Sequence, residues 1–114
     1  MRRDEAFLLD ILIASRKALS FIENINGDVF SQDELIQDAV LHNLEIIGEV
    51  SRKISSQFQA SHPEIPWKEM IGLRNRIVHE YFQINLAAVW EILDSDIPIL
   101  INLLEPLVPP ESEF

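Results

Sequence analysis

Apolar residues in this chain recur at every third or fourth position and almost nowhere at every second one. That spacing lays them along one face of a helix, whereas a half-buried strand needs strict alternation. Only three glycines interrupt the pattern, and the chain reads as all-α. From Asp4 to about Ile25 the stripe is Phe7, Leu8, Ile11, Leu12, Ala14, Ala18, Leu19 and Ile22. Asn26-Gly27-Asp28 is a turn signal that stops it. Ser31 and Glu34 have capping-box spacing and predict a long helix to roughly 56–59. Its burial face includes Leu35, Ile36, Ala39, Val40, Leu44, Ile47, Val50, Ile54 and Phe58. Gly48 costs that helix some stability and permits a close approach by a neighbour. His62 to Trp67 forms a loop with Pro66 suited to the first helical position, and a third helix is predicted from Trp67 to Phe82. Asn85 then caps a fourth helix from Leu86 to about Leu93. Asp94-Ser95-Asp96 ahead of Pro98 predicts a kink or restart, because proline cannot donate to the preceding turn. A last piece covers Ile99 to Leu104.

At 114 residues this is one domain, an antiparallel bundle of four or five helices. The bundle is expected over residues 1–105, with a short Pro-rich acidic tail at 106–114. Pro106, Pro109 and Pro110 end the last helix, and Glu111 to Phe114 is expected to be mobile. Apolar residues at 47% and charged residues at 25% exclude a disordered spacer. The lack of cysteine excludes a disulfide scaffold, a thiolate nucleophile and a Cys-rich zinc site. It fits a reducing cytoplasm. The opening Met1-Arg2-Arg3-Asp4-Glu5 is unlike a signal peptide, and no apolar run approaches the ~20 residues of a membrane helix. A cytoplasmic protein without membrane contact is expected. Net charge is -10, which argues against binding nucleic acid loosely through its backbone. Any action on nucleic acid needs a local basic site or a partner.

One segment does not fit a plain bundle: Leu73-Arg74-Asn75-Arg76-Ile77-Val78-His79-Glu80-Tyr81-Phe82. On an ideal helix Ile77, Val78, Tyr81 and Phe82 form one apolar stripe, with Arg74 about 20° from Tyr81 and 40° from Val78. An arginine there is costly unless paired, and Glu45 or Glu49 of the second helix are its candidate partners. Asn75 and His79 sit one turn apart on the stripe's edge, while Arg76 and Glu80 form an outward i,i+4 pair. The bland reading makes His79 a bundle-edge histidine and Tyr81 a core aromatic with its hydroxyl at the rim. The functional reading takes them together. A phosphodiester needs a cation for its non-bridging oxygens and a group near pKa ~6.5 to move protons. Arg74 suits the first task and His79 the second. Five residues separate them by about 140° on a straight helix, so one helix cannot easily aim both at one phosphate. A two-fold dimer could bring them together from two chains.

Other candidates are plainer. His42, Glu45 and Glu49 share a face and could hold a metal, but the order is reversed from that of di-iron bundles and no second set matches. His62, in the proline loop, needs no functional explanation. Trp67 and Trp90 read as core anchors ahead of base-stacking platforms.

Arg74-Asn75-Arg76-Ile77-Val78-His79-Glu80-Tyr81 resembles the R-x4-H-x-Y motif of HepT-type HEPN proteins. The likeness spans nearly the whole chain. Asp10-Ile11-Leu12, Asp38-Ala39-Val40, Ile47-Gly48-Glu49, Ile65-Pro66-Trp67, Val89-Trp90 and Asp96-Ile97-Pro98 all resemble family positions in the same order. The resemblance implies a small α-helical homodimer, the ribonuclease toxin of a toxin–antitoxin pair, that cuts RNA without a metal or other cofactor. It implies Arg74 and His79 as the catalytic pair, with Asn75 and Glu49 in support. Tyr81 is implied as the acceptor of AMP units from a cognate MNT-type nucleotidyltransferase antitoxin. The alternative is a non-cleaving helical partner or regulatory subunit of a nucleotidyltransferase, which the acidity favours.

Overall fold

The computed structural model describes residues 2–78 and 83–109. The expectations for His79, Glu80, Tyr81 and Phe82, and for the tail from Glu111 to Phe114, fall outside the described residues. The rest is helical, with one isolated antiparallel bridge between Val78 and Ile84. In chain order the elements are α1 (Arg2–Ser20), α2 (Gly27–Gln32), α3 (Glu34–Ser51), α4 (Ser56–Ser61), α5 (Trp67–Ile71), α6 (Leu73–Ile77), α7 (Leu86–Glu91) and α8 (Ile97–Leu104). A π-helical turn at Ile92–Asp96 joins α7 to α8, and a 3-10 turn at Glu105–Leu107 follows. No described helix is long and apolar enough to cross a membrane.

The two long helices, α1 and α3, pack along each other. α8 closes against α1, and α5 and α6 lie on α3. Their stripes meet in one core of Leu8, Ile11, Val40, Leu44, Ile47, Val89, Ile92, Leu93 and Leu104, all essentially sealed from solvent. This is the all-α bundle that the spacing predicts. Trp67 is buried and donates its indole N–H to the His62 carbonyl at 3.0 Å, a core anchor with its polar atom satisfied. His62 stacks on Phe58 with ring centroids 4.3 Å apart.

Several boundaries differ from the pattern, each for a local reason. α1 ends at Ser20, and turns lead to Asn24 at φ 62, a left-handed position that asparagine tolerates. Asn26-Gly27-Asp28 starts a helix as well as breaking one, because the Asn26 side chain accepts the Val29 N–H at 2.9 Å and caps α2. Ser31 then lies inside α2, its hydroxyl on the Asp28 carbonyl, so the cap of α3 is Asp33 and not Ser31. Asp33 accepts the Ile36 N–H at 3.1 Å. α3 stops at Ser51. A continuing helix would send the Ser55 N–H to the Ser51 carbonyl, but Asp4 takes that N–H at 2.9 Å and the Ser55 hydroxyl at 2.7 Å. Ser55 in turn caps the separate helix α4. Pro66 precedes α5 as its N-cap instead of opening its first turn.

The last helical run does not restart at Pro98. Backbone angles stay helical from Glu91 to Ile97, and the Ile97 N–H reaches back five residues to the Ile92 carbonyl. Widening to a π turn accommodates the donor that proline lacks and the crowding of its ring. Beyond α8, Leu107 and Val108 still pack against the core, and Arg16 holds Glu105 at 2.7 Å.

Candidate functional site

The predicted third helix is two short helices. Gly72, at φ -88 and ψ 9, divides α5 from α6. α6 ends at Ile77, and Val78 is extended at φ -109 and ψ 122. The Ile77 carbonyl, which a continuing helix would offer to the amide four residues on, accepts the Asn85 N–H at 2.7 Å. The pairing of Val78 with Ile84 follows from the same contact.

This changes where Arg74 stands. The buried side chains of α6 are Leu73 and Ile77, one turn apart, so the stripe that faces the core lies beside Arg74 and does not include it. Arg74 is exposed, and the cost expected of a buried arginine does not arise. Neither Glu45 nor Glu49 comes within ion-pair distance of Arg74, among the described residues. The three nonetheless face one another across a groove.

That groove, about 320 Å³, runs between α3 and the α5–α6 pair. Leu44, Leu73 and Ile77 form an apolar floor; Glu45, Glu49 and Arg52 stand on the α3 side, and Arg74 on the α6 side. Val78 and Ile84 line one end. Gly48 sets the width. A β-carbon on it would lie 3.2 Å from the Met70 carbonyl oxygen, so only glycine lets the end of α5 rest directly on α3. The close approach that the sequence predicts at Gly48 is thus the foundation of the site.

Not every candidate converges here. Asn75 is exposed on α6 and does not line the groove. Arg76 points away and pairs with Asp96, and with Glu91 at 3.8 Å; these partners lie on the last helical run, and Glu80, its expected partner, falls outside the described residues. His42, Glu45 and Glu49 do not gather into a metal-ligand cluster, and none forms among the described residues. His79 and Tyr81 fall outside the described residues, but His79 directly follows Val78 at the groove's end. α6 stops at Ile77, before this position. Arg52 is the residue that the sequence reading missed. Its signal was available, since positions 45, 49 and 52 follow helical spacing on one face of α3.

The arrangement offers a guanidinium beside an apolar floor, framed by carboxylates, with a titratable imidazole next in sequence. Similarity to known proteins gives the family. Residues 11–107 match the family described as ribonuclease HepT-like. A protein of Methanocaldococcus jannaschii named as a candidate RNase is 43% identical over 98 residues, which cover 85% of this chain and 90% of its own. One of Thermococcus cleftensis named as a candidate ribonuclease HepT is 38% identical over 106 residues, covering 93% and 96%. Another candidate RNase, from Caldanaerobacter subterraneus, is 30% identical over 112 residues, covering 98% of this chain and all of its own. No solved structure is significantly similar. Matched by the family model over residues 11–107 and by relatives from three organisms over 85–98% of its length, this chain belongs to the HepT-like ribonuclease family.

Proposed function

We propose that this protein is an RNA endonuclease that needs no metal, the toxin of a toxin–antitoxin pair. The observation that carries the reading is Arg74, exposed on the wall of a groove whose end residue, Val78, immediately precedes His79. Family membership and the names of the relatives support it.

Arg74 binds the non-bridging oxygens of the scissile phosphate and stabilises the charge that builds on them as the phosphorus becomes five-coordinate. His79 moves the proton, taking it from the 2′-hydroxyl or giving it to the departing 5′-oxygen. The 2′-oxygen attacks the adjacent phosphorus, the bond to the 5′-oxygen breaks, and a 2′,3′-cyclic phosphate and a 5′-hydroxyl result. Because the nucleophile is already beside the phosphorus, no metal-bound hydroxide is required. Asn75 and Glu49 support the pair by orienting His79 and Arg74. Two copies join so that an Arg74 and a His79 serve a shared cleft.

Inactivation uses the same segment. A cognate MNT-type nucleotidyltransferase attaches AMP units to the Tyr81 hydroxyl, adding negative charge and bulk where RNA phosphate binds. In excess EDTA the purified protein is expected to cut RNA, and His79→Ala to abolish the cutting; cleavage that survives the substitution rejects the assignment. After co-expression with the transferase, mass spectrometry is expected to find AMP on Tyr81. AMP found only elsewhere removes that step.

The net charge of -10 favours a second reading, a helical partner that does not cleave but serves a nucleotidyltransferase. Intact RNA together with a stable complex with the transferase would select it.

A further inference from the structure

We infer that Arg52 is a second phosphate-binding residue of the groove, contacting the RNA backbone one or more nucleotides away from the linkage held by Arg74. This rests on the ribonuclease reading above. Arg52 ends α3 and Arg74 lies on α6, 22 residues later, and the fold places both on the same groove. Three other arginines are placed elsewhere. Arg16 pairs with Glu105, Arg76 with Asp96 and Glu91, and Arg3 lies over the Phe7 ring. Lys53 shares that ring, and Lys17 lines a separate cleft between α1 and α3.

Charge makes the second arginine necessary. The groove also carries Glu45 and Glu49, so two carboxylates against Arg74 alone would leave it at -1, repelling a polyanion on a chain already strongly acidic. Arg52 brings the groove to neutrality, with one guanidinium on the α3 side and the other on the α6 side of its apolar floor. An extended strand carries one phosphate per nucleotide, so a second guanidinium on the groove gives it a second point of attachment, where a single one cannot fix the direction of the strand.

The test measures how a short 2′-O-methylated single strand, which lacks the attacking hydroxyl, binds to the full chain across a salt series. In the wild type, affinity falls linearly on a log–log plot against salt. Arg52→Gln is expected to weaken binding and flatten that slope by about 0.7, the release belonging to one single-strand phosphate. With cleavable RNA the loss falls on KM more than on kcat, and Arg52→Lys restores most of it. An unchanged slope and KM overturn the inference, as does an equal loss in the Gln and Lys variants accompanied by lower melting, which makes Arg52 structural. A wild-type chain that neither binds nor cuts RNA overturns the ribonuclease reading itself, and this inference with it.

Discussion

The amide of Asn85 donates to the carbonyl of Ile77 at 2.7 Å, and that bond sets the geometry of the site. It turns Val78 out of the helix, brings Ile84 alongside, and leaves Arg74 on a helix too short to bury it. Asn85 acts at both ends of its own residue, since its side chain also accepts the Ala88 N–H at 3.1 Å and caps α7. Asn85→Ala keeps the backbone bond and loses the cap, with an expected cost of about 1 kcal/mol. Thermal melting should record a fall of a few degrees, and Asn85→Asp should recover most of it. A variant that melts like the wild type would show that the backbone contact alone holds this junction.

Gly48 offers a sharper test of what fixes the groove. Alanine normally favours a helix over glycine by about 1 kcal/mol. Here its β-carbon would meet the Met70 carbonyl at 3.2 Å. Met70 is itself buried, so α5 has little room to retreat. Gly48→Ala is therefore expected to lose about 1 kcal/mol net in urea unfolding, with the strain of overpacking exceeding the gain in propensity. It should also slow RNA cleavage, because α5 carries α6 and Arg74 with it. A stabilised, fully active variant would mean that the two helices separate freely.

Much of the bundle is legible in the spacing of its apolar residues, because helix periodicity is local. The stripes of α1 and α3, the Asn85 cap and the irregularity before Pro98 all follow from residues within a turn or two of each other, and Gly48 marks by its own type where a neighbour comes close. Two misplaced helix ends share one cause. α3 ends where Asp4, 51 positions away in sequence, takes the Ser55 amide, and α6 ends where Asn85 takes the Ile77 carbonyl. Competing acceptors and donors of this kind leave no trace in a short window. The surroundings of Arg74 could not be read from spacing, because a helix that would run on past Ile77 is cut short by a tertiary contact.

Asp4 ties the start of α1 to the start of α4, and its charge is part of the tie. Burial pushes its carboxyl up, but the Ser55 N–H and hydroxyl, aided by Arg3, outweigh this and hold it below the ordinary value. A carboxyl lowered on folding stabilises the fold fully above its unfolded pKa, ~3.9 for aspartate. That contribution fades as pH drops through the lower folded value. Asp4→Asn should be less stable than the wild type at pH 7, and the gap should close on acidification below about pH 4. A gap constant across that range would show that the carboxylate's charge adds nothing to its hydrogen bonds.

Arg74 and Arg76 are two residues apart, yet they face different surroundings. Arg76 is held on the outer side by Asp96 and Glu91, in exposed pairs of the kind worth about 0.5–1 kcal/mol and weakened by salt. Arg74 faces the groove. Arg74→Ala is expected to leave melting nearly unchanged and to lower kcat for RNA by about 10²–10³, the loss typical of removing one group that stabilises a developing oxyanion. Arg76→Ala should do the reverse, melting slightly lower in dilute buffer, recovering towards the wild type in high salt, and cleaving RNA at close to the wild-type rate. Equal losses of cleavage in the two variants would mean that the segment acts only as a patch of positive charge, and the assignment of Arg74 to the scissile phosphate would fall.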